Sequence, residues 1–152
     1  MRTAETEAQK FARWDRENAN ITKAETWPLT IDKQDLEIVL KRALRTRNRF
    51  RGELASYVKD VSGDPITLDA PLDVLVRVAR NFIRHVLTPY DSILEEIQDW
   101  DGAQTMHGVI KDRVEVLIDA TYPDLIAAIA AIKAHAEAAR PRGTGADRTL
   151  RP

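Results

Sequence analysis

The sequence predicts an all-α fold, a single-domain bundle of five or six helices with short connections. Three observations lead there. Apolar residues recur three and four positions apart over long stretches. Breaks rich in proline, glycine and aspartate separate those stretches, and alternating runs of the kind a half-buried strand needs are almost absent. With 152 residues the chain can bury one substantial core but not two.

Taken in order, the first helix is expected from Thr3 to about Glu17, with Phe11 and Trp14 three apart, fading at "NAN" (residues 18–20). The segment "ITKAETWPLT" reads as a connector in which Pro28 holds Trp27 extended. Thr30 or Asp32 then caps a second helix running toward Asp60. Its apolar side is Leu36, Val39, Leu40, Ala43, Leu44, Phe50, Leu54, Tyr57 and Val58. "SGDPITLDAP" breaks the chain, with Asp69 as N-cap and Pro71 in the first turn of a third helix over about Ala70–Leu87. That helix carries Leu72, Leu75, Val76, Ala79, Phe82, Ile83 and Val86 on its apolar side. A fourth begins at Thr88 and ends near "DWDG", where Gly102 stops it. A fifth spans roughly Ala103–Ala120, and "TYPD" opens a sixth through "LIAAIAAIKAHAEAA". The helical domain therefore covers residues 1–140, and Pro141 opens a flexible basic tail over 141–152.

Composition narrows the function. Hydrophobic residues make up 43% and charged residues 31%, an ordinary folded balance. The absence of cysteine excludes disulfides, thiolate zinc sites and cysteine nucleophiles. No apolar run suits a signal peptide or a membrane span, so a cytoplasmic protein with no membrane partner is expected. The net charge of −1 conceals an asymmetry: residues 41–51 carry six basic side chains and no acid, and residues 91–101 carry five acids and no base.

The basic run is "KRALRTRNRFR". On a helix, Lys41, Arg42, Arg45 and Arg49 cluster on an outer flank, whereas Arg47 and Arg51 fall on the side of Leu40 and Leu44. Unpaired arginines there would be costly, so the helix projects past the core, the acidic segment answers them, or the face binds phosphates with Phe50 and Tyr57 available for stacking. A solvated helix with arginine stems lying over apolar neighbours is the plainer alternative. Arginine in excess of lysine suits phosphate or carboxylate forks, so the partner is RNA, DNA or an acidic protein surface.

The stretch "RNFIRHVLTPYD", residues 80–91, has two readings. As a joint, Arg84 and His85 complement a helix C-terminus. Thr88 caps the next helix, Pro89 takes its first position, and Asp91 completes a short capping box. As a site, the Arg-Asn-x-x-x-His arrangement of Arg80, Asn81 and His85 resembles the signature of HEPN-domain ribonucleases. That resemblance implies a small helical domain cleaving RNA without metal, with a site formed in a homodimer. Histidine would move a proton and arginine would stabilise charge on phosphorus. On a regular helix Arg80 and His85 stand about 140° apart, so the resemblance further requires an irregular helix or a second protomer. Ile83, Arg84, His85, Thr88, Tyr90, Asp91 and Leu94 also resemble an "IRHxxTxYDxLL"-like stretch of an uncharacterised family, which implies no activity.

No metal-ligand spacing, phosphate loop, nucleophile elbow or dinucleotide fingerprint occurs, so no metal or cofactor is expected. Three functions stay open. The first is a non-catalytic binder of nucleic acid, or of a nucleic-acid-handling (bacterial defence) complex, acting through Lys41, Arg42, Arg45, Arg47, Arg49 and Arg51. The second is a metal-independent ribonuclease using Arg80, Asn81 and His85, and the third is a protein-interaction module.

Overall fold

The computed structural model describes residues 4–49 and 65–139. Among the described residues the fold is all-α, with six helices and no strand. They are α1 (Glu7–Glu25), α2 (Leu36–Arg49), α3 (Leu72–Phe82), α4 (Tyr90–Ile97), α5 (Ala103–Thr121) and α6 (Leu125–Ala139), with a π-turn at Ile83–Leu87 between α3 and α4. The expected course of helix 2 beyond Arg49, Arg51 with it, and the basic tail lie outside the described residues. None of the described helices is long and apolar enough to cross a membrane. The described residues divide into two compact units, one of residues 4–33 and 82–123, the other of 34–49, 65–81 and 124–139.

In the first unit α1 opens with a capping box. Thr6 Oγ1 accepts the Gln9 amide at 3.1 Å, and Gln9 Oε1 accepts the Thr6 amide at 2.9 Å. Instead of fading at Asn18–Asn20, the helix continues to Glu25. Tertiary bonds override the weak local propensity: Asn20 Nδ2 donates to Asp101 O at 3.0 Å, and Arg113 Nη1 donates to Ala24 O at 2.6 Å. Asp101 also pairs with Arg16 at 2.5 Å, so this end of the acidic segment is answered inside its own unit. Helix α5 is the spine. Met106, Ile110, Val114 and Ile118, four apart, form one fully buried stripe, and α5 packs against α1, α4 and the π-turn. Each such side chain contributes about 1.5–3 kcal/mol by leaving water. Trp27 and Pro28 lie in a non-helical segment as expected, and Asp32 N–H donates to Leu87 O at 2.8 Å, satisfying a carbonyl the π-turn leaves open.

In the second unit α2 starts later than Thr30 or Asp32. Asp35 caps it, its carboxylate accepting the Glu37 amide at 3.0 Å and its carbonyl the Val39 amide at 2.9 Å. The Asp32 amide is instead bonded to Leu87 O, and residues 31–35 are non-helical. Helix α2 buries Val39, Leu40, Ala43 and Leu44 and packs against α6, which buries Leu125 and Ile129. Helix α3 also begins later than expected. Pro71 holds the capping position, its carbonyl accepting the Val74 and Leu75 amides at 3.0 and 3.1 Å. Asp69 stands two residues further out, its amide donating to Thr67 Oγ1 at 3.2 Å. Two polar ties fix this corner. Asn48 makes paired 2.8 Å bonds to the amide and carbonyl of Ile66, and Lys133 Nζ donates to the carbonyls of Leu68 and Ala70 at 3.1 and 3.0 Å.

Candidate functional site

Two groups of residues stand out, one in each unit. In the second, the buried face of α2 fixes what its opposite face presents. Lys41, Arg45 and Arg49 follow one another at four-residue steps and are all exposed. Taking 100° per residue, their mean direction lies about 170° from that of Val39, Leu40, Ala43 and Leu44, and they span about 12 Å of axis. The result is a cationic ridge pointed away from the core. Ile38, also exposed, sits on the same side one turn before Lys41 and Arg42. Arg42 departs from the expected flank: it is half-buried and donates to Gln34 Oε1 at 2.7 Å. Arg47, expected on the core side, is half-buried at the last turn, where cations also complement the helix carbonyls.

In the first unit, the π-turn gathers residues of the "RNFIRHVLTPYD" stretch. Its wider i→i+5 winding changes the helical phase. Leu87 is therefore buried, while Val86, expected on the apolar side, is 49% exposed. Thr88 is buried and bonds in both directions, donating to Arg84 O at 2.5 Å and accepting the Tyr90 amide at 3.3 Å. The N-cap itself is Pro89, not Thr88, and Pro89 makes no side-chain cap; its carbonyl accepts the Ile93 amide at 3.0 Å. Asp91 builds no capping box. Its carboxylate lies 2.6 Å from His85 Nδ1, because the wider turn brings the ring within reach of the next helix.

The ring of Tyr90 serves as the floor of this cluster. His85 meets it edge-on at 5.6 Å between centroids, and the Arg84 guanidinium lies 5.6 Å above it. Arg84, only 15% exposed at its side chain, is paired with Glu115 of α5 at 2.7 Å. The Asp91 carboxylate can only accept, so the proton of this bond is on His85 Nδ1. The structure thus assembles Arg84, His85, Tyr90 and Asp91 in one unit. Arg80 and Asn81 belong to α3 of the other unit, where Arg80 is half-buried and Asn81 exposed, and each already holds an interaction.

Glu115 and Tyr90 were not singled out as site residues by sequence reasoning. The signal for Tyr90 was its place in the short run of His85, Thr88 and Asp91; nothing in the spacing pointed to Glu115. No family model, curated protein or solved structure matches this chain.

Proposed function

We propose that this chain is a non-catalytic helical protein that binds nucleic acid through the phosphate backbone, using the ridge of Lys41, Arg45 and Arg49. One observation carries the reading: three exposed cations at four-residue steps, on the face directly opposite the buried side of α2. A solvated helix face usually interleaves both signs, whereas between Lys41 and Arg49 this helix has no acid. The ridge supplies charge along a line, which supports binding to the phosphate backbone. Half-buried Arg42, oriented by Gln34, supports the ridge from its flank.

A second reading has one observation in its favour. The His85–Asp91 pair, exposed beside Tyr90 on a π-turn, is an arrangement suited to proton transfer, and π-turns recur at functional sites. One experiment addresses both. Purified protein is incubated with labelled single-stranded RNA in EDTA, and gel shift and cleavage are read together, with Arg45→Glu/Arg49→Glu and His85→Ala alongside. A shift with intact RNA, weakened in the double charge reversal and unchanged in His85→Ala, is the expected result. Cleavage that vanishes in His85→Ala would move the function to the π-turn, and absence of both binding and cleavage would remove the two readings together.

A further inference from the structure

Helix α1 begins with an arm that is exposed along its whole length. Every residue from 4 to 12 is exposed, and Phe11 and Trp14 stand 56% and 41% exposed. The arm is nevertheless held helical by its own side chains. Besides the Thr6–Gln9 box, Arg13 pairs with Glu5 and Glu17, each at 3.0 Å, and Phe11 meets Trp14 edge-on at 5.6 Å. It is a prefolded element presenting two aromatic anchors, the residue type that dominates interface energetics.

The same unit holds an open groove of about 410 Å³, lined among the described residues by Leu29, Asp112, Arg113, Val116, Leu117 and Ala120. Val116, 67% exposed, is its largest uncovered apolar surface. A chain cannot fill its own groove with its own arm. Helix α1 runs beside α5 with Glu17 at Gly102 and Ala24 at Arg113, so Trp14 lies beyond the start of α5, while the groove begins at Asp112, ten residues (about 15 Å) past Gly102.

Charge selects the occupant. Lys10 Nζ lies 5.0 Å from the Trp14 ring, so any site that takes Trp14 also receives this ammonium. Asp112 stands exposed on the groove with no ion pair among the described residues, while Arg113 is committed to Ala24 O. A tryptophan seated over Val116 thus brings Lys10 to Asp112.

We infer that the chain self-associates: Phe11 and Trp14 of one copy dock on the Leu29–Val116–Leu117–Ala120 groove of a second, with Lys10 facing Asp112. Reciprocal exchange of arms closes the pair on a two-fold axis. Each contact seats only two partly exposed aromatics, well under the ~1,200 Å² at which stable interfaces begin, so the pair is weak and depends on concentration. This inference does not depend on the nucleic-acid reading.

The test is analytical ultracentrifugation of the full chain from about 5 to about 500 µM, a range suited to a weak pair. The expected result is a shift with concentration from one chain of 17.2 kDa to a pair. Trp14→Ala and Val116→Asp, both at exposed positions and checked for helicity by circular dichroism, should each weaken association at least about tenfold. Mixing the two variants should recover part of it, because the mixture retains one intact arm facing one intact groove. Lys10→Asp should weaken it, and Lys10→Asp combined with Asp112→Lys should restore it. A chain monomeric at every concentration, or a dimer indifferent to Trp14→Ala or Val116→Asp, would overturn the inference.

Discussion

Two glycines at the start of α5, six residues apart, should answer the same substitution with opposite signs. Gly102 has φ +79°, in the left-handed region, and an added Cβ would stand 3.3 Å from Glu17 Cβ. That region costs an alanine about 1–2 kcal/mol. The contact adds to this, because Glu17 is held by Arg13 at 3.0 Å and gives way only by disturbing that pair. Gly108 lies inside the helix, and a Cβ there meets nothing within 4 Å. Alanine at 108 therefore keeps its helix-propensity advantage of about 0.5–1 kcal/mol with no steric offset. For a chain of this size 1 kcal/mol moves Tm by about 2–4 °C. The Tm of Gly108→Ala should rise by about 1–4 °C, and that of Gly102→Ala should fall by about 2 °C or more. Thermal and urea unfolding followed by circular dichroism measure both. Shifts of the same sign, or a stabilised Gly102→Ala, would refute the geometry assigned to the turn that opens α5.

Two further predictions follow from polar ties. The Glu5 carboxyl is held below its ordinary value of 4.5, first by the hydrogen bond from Arg13. A depressed folded pKa means its contribution is present above pH 4.5 and lost as pH falls through the lower folded value. An NMR titration of Glu5 should give a midpoint under 4.5, and Arg13→Ala should return it upward; a wild-type midpoint at or above 4.5 counts against the pairing. Asn48→Ala removes both 2.8 Å bonds to Ile66 from a half-buried site and should cost about 1–2 kcal/mol in urea unfolding, with faster exchange of the Ile66 amide. An unchanged midpoint and an unchanged amide would show that the tie carries no stability.

The helices were legible wherever one face is buried by repetition. The Val39–Leu44 face of α2 follows directly from spacing, and so do Lys41, Arg45 and Arg49 of the outer flank opposite it, though not half-buried Arg42. Helix ends were misplaced where a distant bond decides them. Asn20 and Ala24 extend α1 through partners at Asp101 and Arg113, remote in sequence, and Asp32 is tied to Leu87 while Asp35 takes the cap of α2. The π-turn was hidden because the apolar pattern runs unbroken from Leu72 to Leu87, and only the burial of Leu87 with exposure of Val86 betrays the change of phase. The His85–Asp91 pair was missed for a related reason. Six residues is no helical spacing, and only a joint of this shape brings them together.

The salt dependence of RNA binding tests the ridge most directly. Each phosphate contact on a single strand contributes about 0.7 to the slope of log K against log salt, so three ridge cations predict a slope of about −2. Arg45→Ala/Arg49→Ala should reduce its magnitude to about 0.7 while leaving helicity intact. Fluorescence anisotropy with a labelled single-stranded RNA, from about 50 to about 200 mM salt, reads both values. A steep slope in the wild type that flattens in the double variant is the outcome the ridge requires. An equal slope in the two proteins, or no binding at low salt, would contradict it.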